Sequence, residues 1–194
     1  MSTQPKTFLT PEQYLAVERK ALHKSEYFRG ELFAMAGAGE RHNLLSLNFA
    51  VAIHQQLRGR PCRAYVADMR VLTSPAGLYT YPDIVTVCGE RRFVDDQLDT
   101  LVNPTLIAEV LSPSTEAYDR GRKFELYRTI ETLEEYLLVA ADRVHVELYT
   151  RQPEGRWLLS EASRLEDVLD LKSIACKLSL ADLYDKTDLE NEAA

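Results

Sequence analysis

Leu106-Ile107-Ala108-Glu109-Val110-Leu111 is an apolar run interrupted by one acid. A near-continuous run of this kind predicts a strand covered on both faces, as strands of parallel sheets are. Ser112-Pro113-Ser114-Thr115 ends it, a helix is expected from about Asp119 to Ile130, and a second strand at Glu135 to Ala140. Strand, helix, strand is a crossover unit. It requires at least one parallel pair and so a mixed sheet.

Outward from this unit the pattern stays α/β. Two upstream strands are predicted at Arg63 to Leu72 and Tyr81 to Cys88, with Ser74-Pro75-Ala76-Gly77 as their turn. Residues 89–104 are polar and read as loop. A helix from about His42 to Leu57 follows Gly37-Ala38-Gly39 and stops at Gly59-Arg60-Pro61, and Leu44, Leu47, Val51 and Leu57 are assigned to its buried face. Near the N-terminus, Thr10-Pro11-Glu12-Gln13 has the form of a capping box with proline at the first helical position. A hairpin is expected at Ser25 to Met35 around Arg29-Gly30, and another at Val144 to Glu161 around Pro153-Glu154-Gly155. Ser179-Leu180-Ala181-Asp182 caps a short last helix. The expected fold class is α/β, or mixed α+β: a central mixed β-sheet flanked by helices, with a β-hairpin near each end. With no repeat or linker, one domain is expected over 1–194, with its core at about 40–140 and a disordered tail at about 187–194.

The chain of 194 residues is 45% hydrophobic and 27% charged, a globular composition long enough for a real core. No apolar run approaches the roughly 20 residues that span a bilayer, and the first residues lack the apolar stretch of a signal peptide. The expectation is a cytoplasmic protein with no membrane partner. Cys62, Cys88 and Cys176 are odd in number and far apart, so neither a disulfide framework nor a metal pair is expected, and Cys88 reads as a buried thiol. The net charge of −7 argues against a simple basic nucleic-acid binder. It does not exclude an enzyme whose acidic site holds a divalent cation.

Phosphate-loop, dinucleotide-turn, nucleophile-elbow and zinc-protease signatures are absent, and the four histidines show no ligand spacing. What remains is two acids in costly places. Glu109 lies inside the buried run, where an unpaired carboxylate costs several kcal/mol or takes up a proton. Asp83 opens the apolar stretch Ile84-Val85-Thr86-Val87. If their strands are neighbours, the carboxylates meet, and at about 4 Å they repel by roughly 4 kcal/mol at an effective dielectric near 20. One is then protonated, or a cation lies between them, with Mg²⁺, Mn²⁺ or Ca²⁺ favoured over zinc. The competing structural reading pairs Glu109 with an arginine. Asp119, Lys123 and Tyr127 form one helical stripe, from which Lys123 can reach back toward Glu109.

Three ordered segments carry a resemblance. Tyr81-Pro82-Asp83-Ile84-Val85-Thr86-Val87, Leu106 to Thr115, and Asp119-Arg120-Gly121-Arg122-Lys123-Phe124-Glu125-Leu126-Tyr127 resemble the Uma-type restriction-endonuclease family of the PD-(D/E)XK nuclease superfamily. The likeness extends back through Glu26, Gly30 and His42 and forward through Glu135-Tyr136. It implies a restriction-endonuclease-like fold, with Asp83 and Glu109 as the two acids of the pattern. The pattern's lysine belongs two residues after Glu109, where this chain has Leu111, and the resemblance assigns that role to Lys123 on the next helix. Leu137 and Ala140 stand where the family often has Trp and Asp. The activity implied is hydrolysis of DNA phosphodiesters with Mg²⁺ or Mn²⁺ on Asp83 and Glu109, Lys123 assisting, and Glu26 and His42 as further candidates. Arginines around Lys123 (Arg120, Arg122, Arg128) and at Arg58, Arg60 and Arg63 are candidate phosphate contacts. A homodimer is expected, because two strands are cut by two sites related by a two-fold axis. Two other readings stay open: a catalytically silent nuclease fold that binds or regulates, and a metal-dependent hydrolase of a smaller phosphoester.

Overall fold

The structure is a computed structural model and describes residues 8–75 and 77–189. Helix α1 (Pro11–Glu18) begins at the capping box read from sequence: Thr10 Oγ1 accepts from the Gln13 amide, and Gln13 Oε1 from the Thr10 amide. Strands β1 (Ser25–Phe28) and β2 (Glu31–Ala34) form the front hairpin. Its turn residues Arg29 and Gly30 both have positive φ, as a two-residue turn between twisted strands requires. A Cβ on Gly30 would lie 2.7 Å from the Phe8 ring.

Helix α2 (Glu40–Gln56) leads into β3 (Cys62–Val66), β4 (Arg70–Leu72), β5 (Leu78–Thr80), β6 (Ile84–Cys88), β7 (Thr100–Leu101) and β8 (Leu106–Leu111). After β8 come α3 (Glu116–Tyr118), a π-helical turn (Asp119–Lys123) and α4 (Phe124–Tyr127). The chain returns as β9 (Glu135–Ala140), then the hairpin β10 (Val146–Arg151) and β11 (Trp157–Ala162), the pair β12 (Val168–Leu171) and β13 (Cys176–Ser179), and α5 (Leu180–Leu183). The main sheet has the order β11-β10-β9-β8-β6-β3, with β8 and β9 parallel and the other pairs antiparallel. A second sheet, β2-β1-β5-β4-β7, carries the front hairpin. The mixed sheet, the crossover and both hairpins are therefore as expected.

Alternation along β8 divides the interior. Leu106, Ala108 and Val110 pack with Leu45, Phe49 and Ile53 of α2. Ile107 and Leu111 pack with Phe124, Tyr127 and Tyr136. Glu109 has the parity of the second set, so its carboxylate points toward the α3–α4 side.

Several expectations are corrected. The buried stripe of α2 is Leu45, Phe49, Ile53 and Leu57, while Leu47 is 57% exposed and Val51 is also exposed. Both stripes are apolar at helical spacing, so periodicity alone had no means of choosing between them. The strand expected over Arg63 to Leu72 breaks at Ala67, whose φ is +57° and whose amide donates to the Asp83 carbonyl. The stretch expected as one strand from Tyr81 starts its ladder at Ile84, and β7 lies inside the expected loop. The helix after β8 starts at Glu116 and ends at Tyr127. Cys62 and Cys88 form a disulfide, because the β3–β6 register sets them opposite each other. Cys176 is a buried free thiol. The tail does not fray at Thr187, which is buried and donates to the Tyr184 carbonyl; residues 190–194 lie outside the described residues. Among the described residues no helix is long and apolar enough to cross a membrane.

The face assignment of α2 has a direct test. Phe49→Ala is expected to destabilise by about 3–5 kcal/mol through lost burial and a cavity, and Leu47→Ala by no more than about 0.5 kcal/mol. Urea unfolding of both variants checks this, and the reverse order would return the buried face to Leu47 and Val51.

Candidate active site

The register of β6 against β8 pairs Ile84 with Ala108, and one step further sets Asp83 opposite Glu109. Each acid is tied to the other's strand. The Val110 amide donates to Asp83 Oδ2 at 2.8 Å, and the Asp83 amide lies 3.4 Å from Glu109 Oε2. Asp83 stays within reach of the cleft, whereas Glu109 is only 3% exposed.

Lys123 enters from the π-turn. Its Nζ is 3.0 Å from Glu109 Oε1, 3.3 Å from Asp119 Oδ1 and 3.5 Å from Glu26 Oε1. Glu26 comes from β1 of the second sheet, so the lysine lies where both sheets and the helix meet. His42, at the start of α2, places Nε2 3.1 Å from Asp83 Oδ2. Tyr127 donates to Glu109 Oε1 at 2.7 Å. The fold thus gathers every candidate residue, Asp83, Glu109, Lys123, Glu26, His42, Asp119 and Tyr127, into one cluster. Glu109 pairs with a lysine rather than with an arginine.

Two residues in contact with this cluster went unread in the sequence. Thr80 donates to Glu26 Oε1, and Tyr118 donates to Glu26 Oε2 at 3.2 Å. Tyr118 had a signal in its position beside Asp119. Thr80 had none, since only the pairing of β5 with β1 brings it there. The arginines are mostly taken up by the fold. Arg60 donates to the Ile174 and Ala175 carbonyls, Arg120 pairs with Glu116 and Glu147, and Arg128 stacks on Phe124.

The electrostatics are crowded. Burial pushes the Glu109 carboxyl up to about 8; Lys123 opposes the shift, and the Asp83 and Asp119 charges add to it. Burial likewise raises Asp119, again against Lys123. Burial works to lower Lys123, but Glu109, Glu26 and Asp119 together hold it well above its ordinary value, so it is charged. Burial also works to lower His42, and Asp83 overcomes it to give a net rise. Three carboxylates, Glu26, Glu109 and Asp119, thus surround one lysine, and Asp83 lies against His42. This crowding of hard oxygen donors suits a divalent cation at Asp83 and Glu109. Elsewhere, His145, Glu147 and Glu161 bring donor atoms within 4.8 Å of one another, but there the Arg120 guanidinium already neutralises Glu147.

The site lies in a cleft of about 1280 Å³ bordered by α2, the front hairpin and the α3–α4 segment. A family model, Uma2, described as "Putative restriction endonuclease", matches residues 11–182. "Uncharacterized protein slr1290" of Synechocystis sp. is 37% identical over 176 residues, 91% of each chain. "Uncharacterized protein sll1609" of the same organism is 39% identical over 153 residues, 79% of this chain and 86% of that relative. The crystal structure of a "putative nuclease belonging to DUF820" from Anabaena variabilis superposes with a TM-score of 0.74 at 20% identity, over 91% of this chain and 97% of that one. At that identity the likeness speaks for the fold.

The Glu109 shift sets a pH dependence. Its folded value of about 8 lies above the ordinary 4.5, so the folded chain keeps a proton that the unfolded chain releases. This contribution to stability is complete below about 4.5 and is lost as pH rises through about 8. In metal-free buffer, the melting temperature of Glu109→Gln relative to the wild type is expected to be higher at pH 9 than at pH 5. Equal effects at both pH values would show that Glu109 is ionised throughout.

Proposed function

The chain belongs to the Uma2 family, and on that footing we propose that it is a metal-dependent endonuclease hydrolysing phosphodiester bonds in DNA. The observation that carries this reading is the placement of Lys123 Nζ 3.0 Å from Glu109 beside Asp83. Two acids and a lysine converge although the lysine is not two residues after the second acid.

Asp83 and Glu109 would hold Mg²⁺ or Mn²⁺. When bound, the ion supplies Lewis-acid charge to a phosphoryl oxygen and a water acidic enough to attack. The remaining roles belong to side chains. Lys123 presents a fixed positive charge where the phosphoryl oxygens gain negative charge, and it is ready to orient the water. Glu26 and Asp119 hold its ammonium in place. Tyr127 fixes the rotamer of Glu109, and His42 holds Asp83 from the outer side. The cleft exceeds the roughly 300–1,000 Å³ of an ordinary small-molecule pocket, which favours a polymer over a small phosphoester.

The test is incubation of supercoiled plasmid and single-stranded DNA with Mg²⁺, Mn²⁺ or EDTA. The expected result is metal-dependent cleavage that falls by at least about 100-fold in Asp83→Asn, with the variant's circular dichroism unchanged. A folded wild-type protein that cleaves neither substrate with either metal would overturn the nuclease reading in favour of a binding module.

A further inference from the structure

One wall of the cleft is apolar and partly exposed, with Phe33 paired across the hairpin from Glu26. Phe28 and Phe33 of the front hairpin, Met35, Leu47 of α2, and Val66 at the end of β3 line it. Phe33 is 48% exposed and Leu47 57%. Neither belongs to the described core clusters. Contiguous exposed apolar surface beside a polar centre marks a binding surface.

The charges narrow what that surface binds. The Lys and Arg residues lining the cleft are Lys24, Arg122 and Lys123. Lys123 is enclosed by acids, Lys24 pairs with Asp68, and Arg122 pairs with Glu125. A duplex is gripped through its phosphates, with about 6–10 contacts in a typical protein. Among the described residues this cleft has no such set of free cations, and Glu26, Asp83, Glu109 and Asp119 also line it. An unpaired strand also needs cations along its backbone, but unlike a duplex it leaves its bases free to stack on exposed aromatic side chains. The Arg29 and Arg122 guanidinium groups lie 5.1 and 5.4 Å from the Phe28 centroid, which leaves Phe33, 48% exposed, as the open ring.

Resting on the nuclease reading above, we propose that the cleft receives a single, unpaired DNA strand, its bases against the wall of Phe28, Phe33, Met35, Leu47 and Val66 and its backbone along the Asp83–Lys123 side. Phe33 is a stacking residue, separate from the cluster around Lys123.

The experiment is fluorescence anisotropy of a labelled mixed-sequence 12-mer, single-stranded or annealed to its complement. Ca²⁺ replaces Mg²⁺ and the ionic strength is fixed. The single strand is expected to bind at least about tenfold more tightly than the duplex. Phe33→Ala should weaken single-strand binding by about tenfold, and Phe33→Tyr, which keeps the ring, should restore it. Duplex binding as tight as single-strand binding, or an unaffected Phe33→Ala, would overturn the proposal. So would a sedimentation result in which Phe33→Ala separates a dimer while single-strand binding is unchanged, because the wall would then be covered by a second copy. Tight single-strand binding without cleavage in Mn²⁺ would instead remove the nuclease reading and leave this proposal standing. Duplex cleavage with duplex preference would do the opposite.

Discussion

The ammonium of Lys123, buried among Glu26, Glu109 and Asp119, is the constraint on which the rest of the structure depends. Desolvating an ion costs several kcal/mol, and mutual attraction repays it only where geometry is good and the remaining lone pairs are satisfied. Here Tyr127, Thr80 and Tyr118 satisfy them. The three acids arrive from β8, from β1 and from the turn that carries the lysine itself. Their convergence therefore ties the main sheet, the second sheet and the crossover helix to a single point. Loss of one partner from such a group typically costs 3–5 kcal/mol, because the others are left buried and uncompensated.

The π-turn at Asp119–Lys123 belongs to the same constraint. In a regular α-helix of 3.6 residues per turn, positions four apart drift by about 40° around the axis. Asp119, Lys123 and Tyr127 would spread over a wide arc at that rate. A turn with the wider i→i+5 pattern reverses part of the drift and keeps all three side chains aimed at Glu109. Its irregular backbone is served from the neighbouring strand, where the Tyr136 hydroxyl donates to the Asp119 carbonyl at 3.1 Å. Phe124 then stacks on Tyr136 with centroids 4.8 Å apart, fixing the helix against the sheet just after the lysine.

Glu109 was legible because an acid in a doubly covered strand violates the burial rule that its neighbours obey. Asp83 followed once its strand was taken as a neighbour of the Glu109 strand, which brings the two acids together. Lys123 followed from helical spacing, even though the helix proved to be distorted. Other features were hidden for physical reasons. Leu47 and Val51 have the same spacing and chemistry as Leu45, Phe49 and Ile53, and only the position of the sheet decides which stripe it covers. Cys62 and Cys88 are 26 residues apart in sequence, and their pairing depends on a cross-strand register that composition does not contain. Thr80 reaches Glu26 only through the pairing of β5 with β1.

The misassigned face of α2 and the excess of carboxylates belong together. A helix that turns Leu45, Phe49 and Ile53 inward carries His42 toward Asp83 on nearly the same stripe and leaves Leu47 exposed, about 140° further round the axis, in the lining of the cleft. Burial of Glu109, Asp119 and Lys123 restricts water around the cluster. That strengthens each charge–charge term there, repulsion between Asp83 and Glu109 included. The site's own residues balance this charge in part: Lys123 meets Glu26, Glu109 and Asp119, His42 meets Asp83, and burial shifts Glu109 toward its protonated form. A divalent cation held by Asp83 and Glu109 would relieve the repulsion that remains between them.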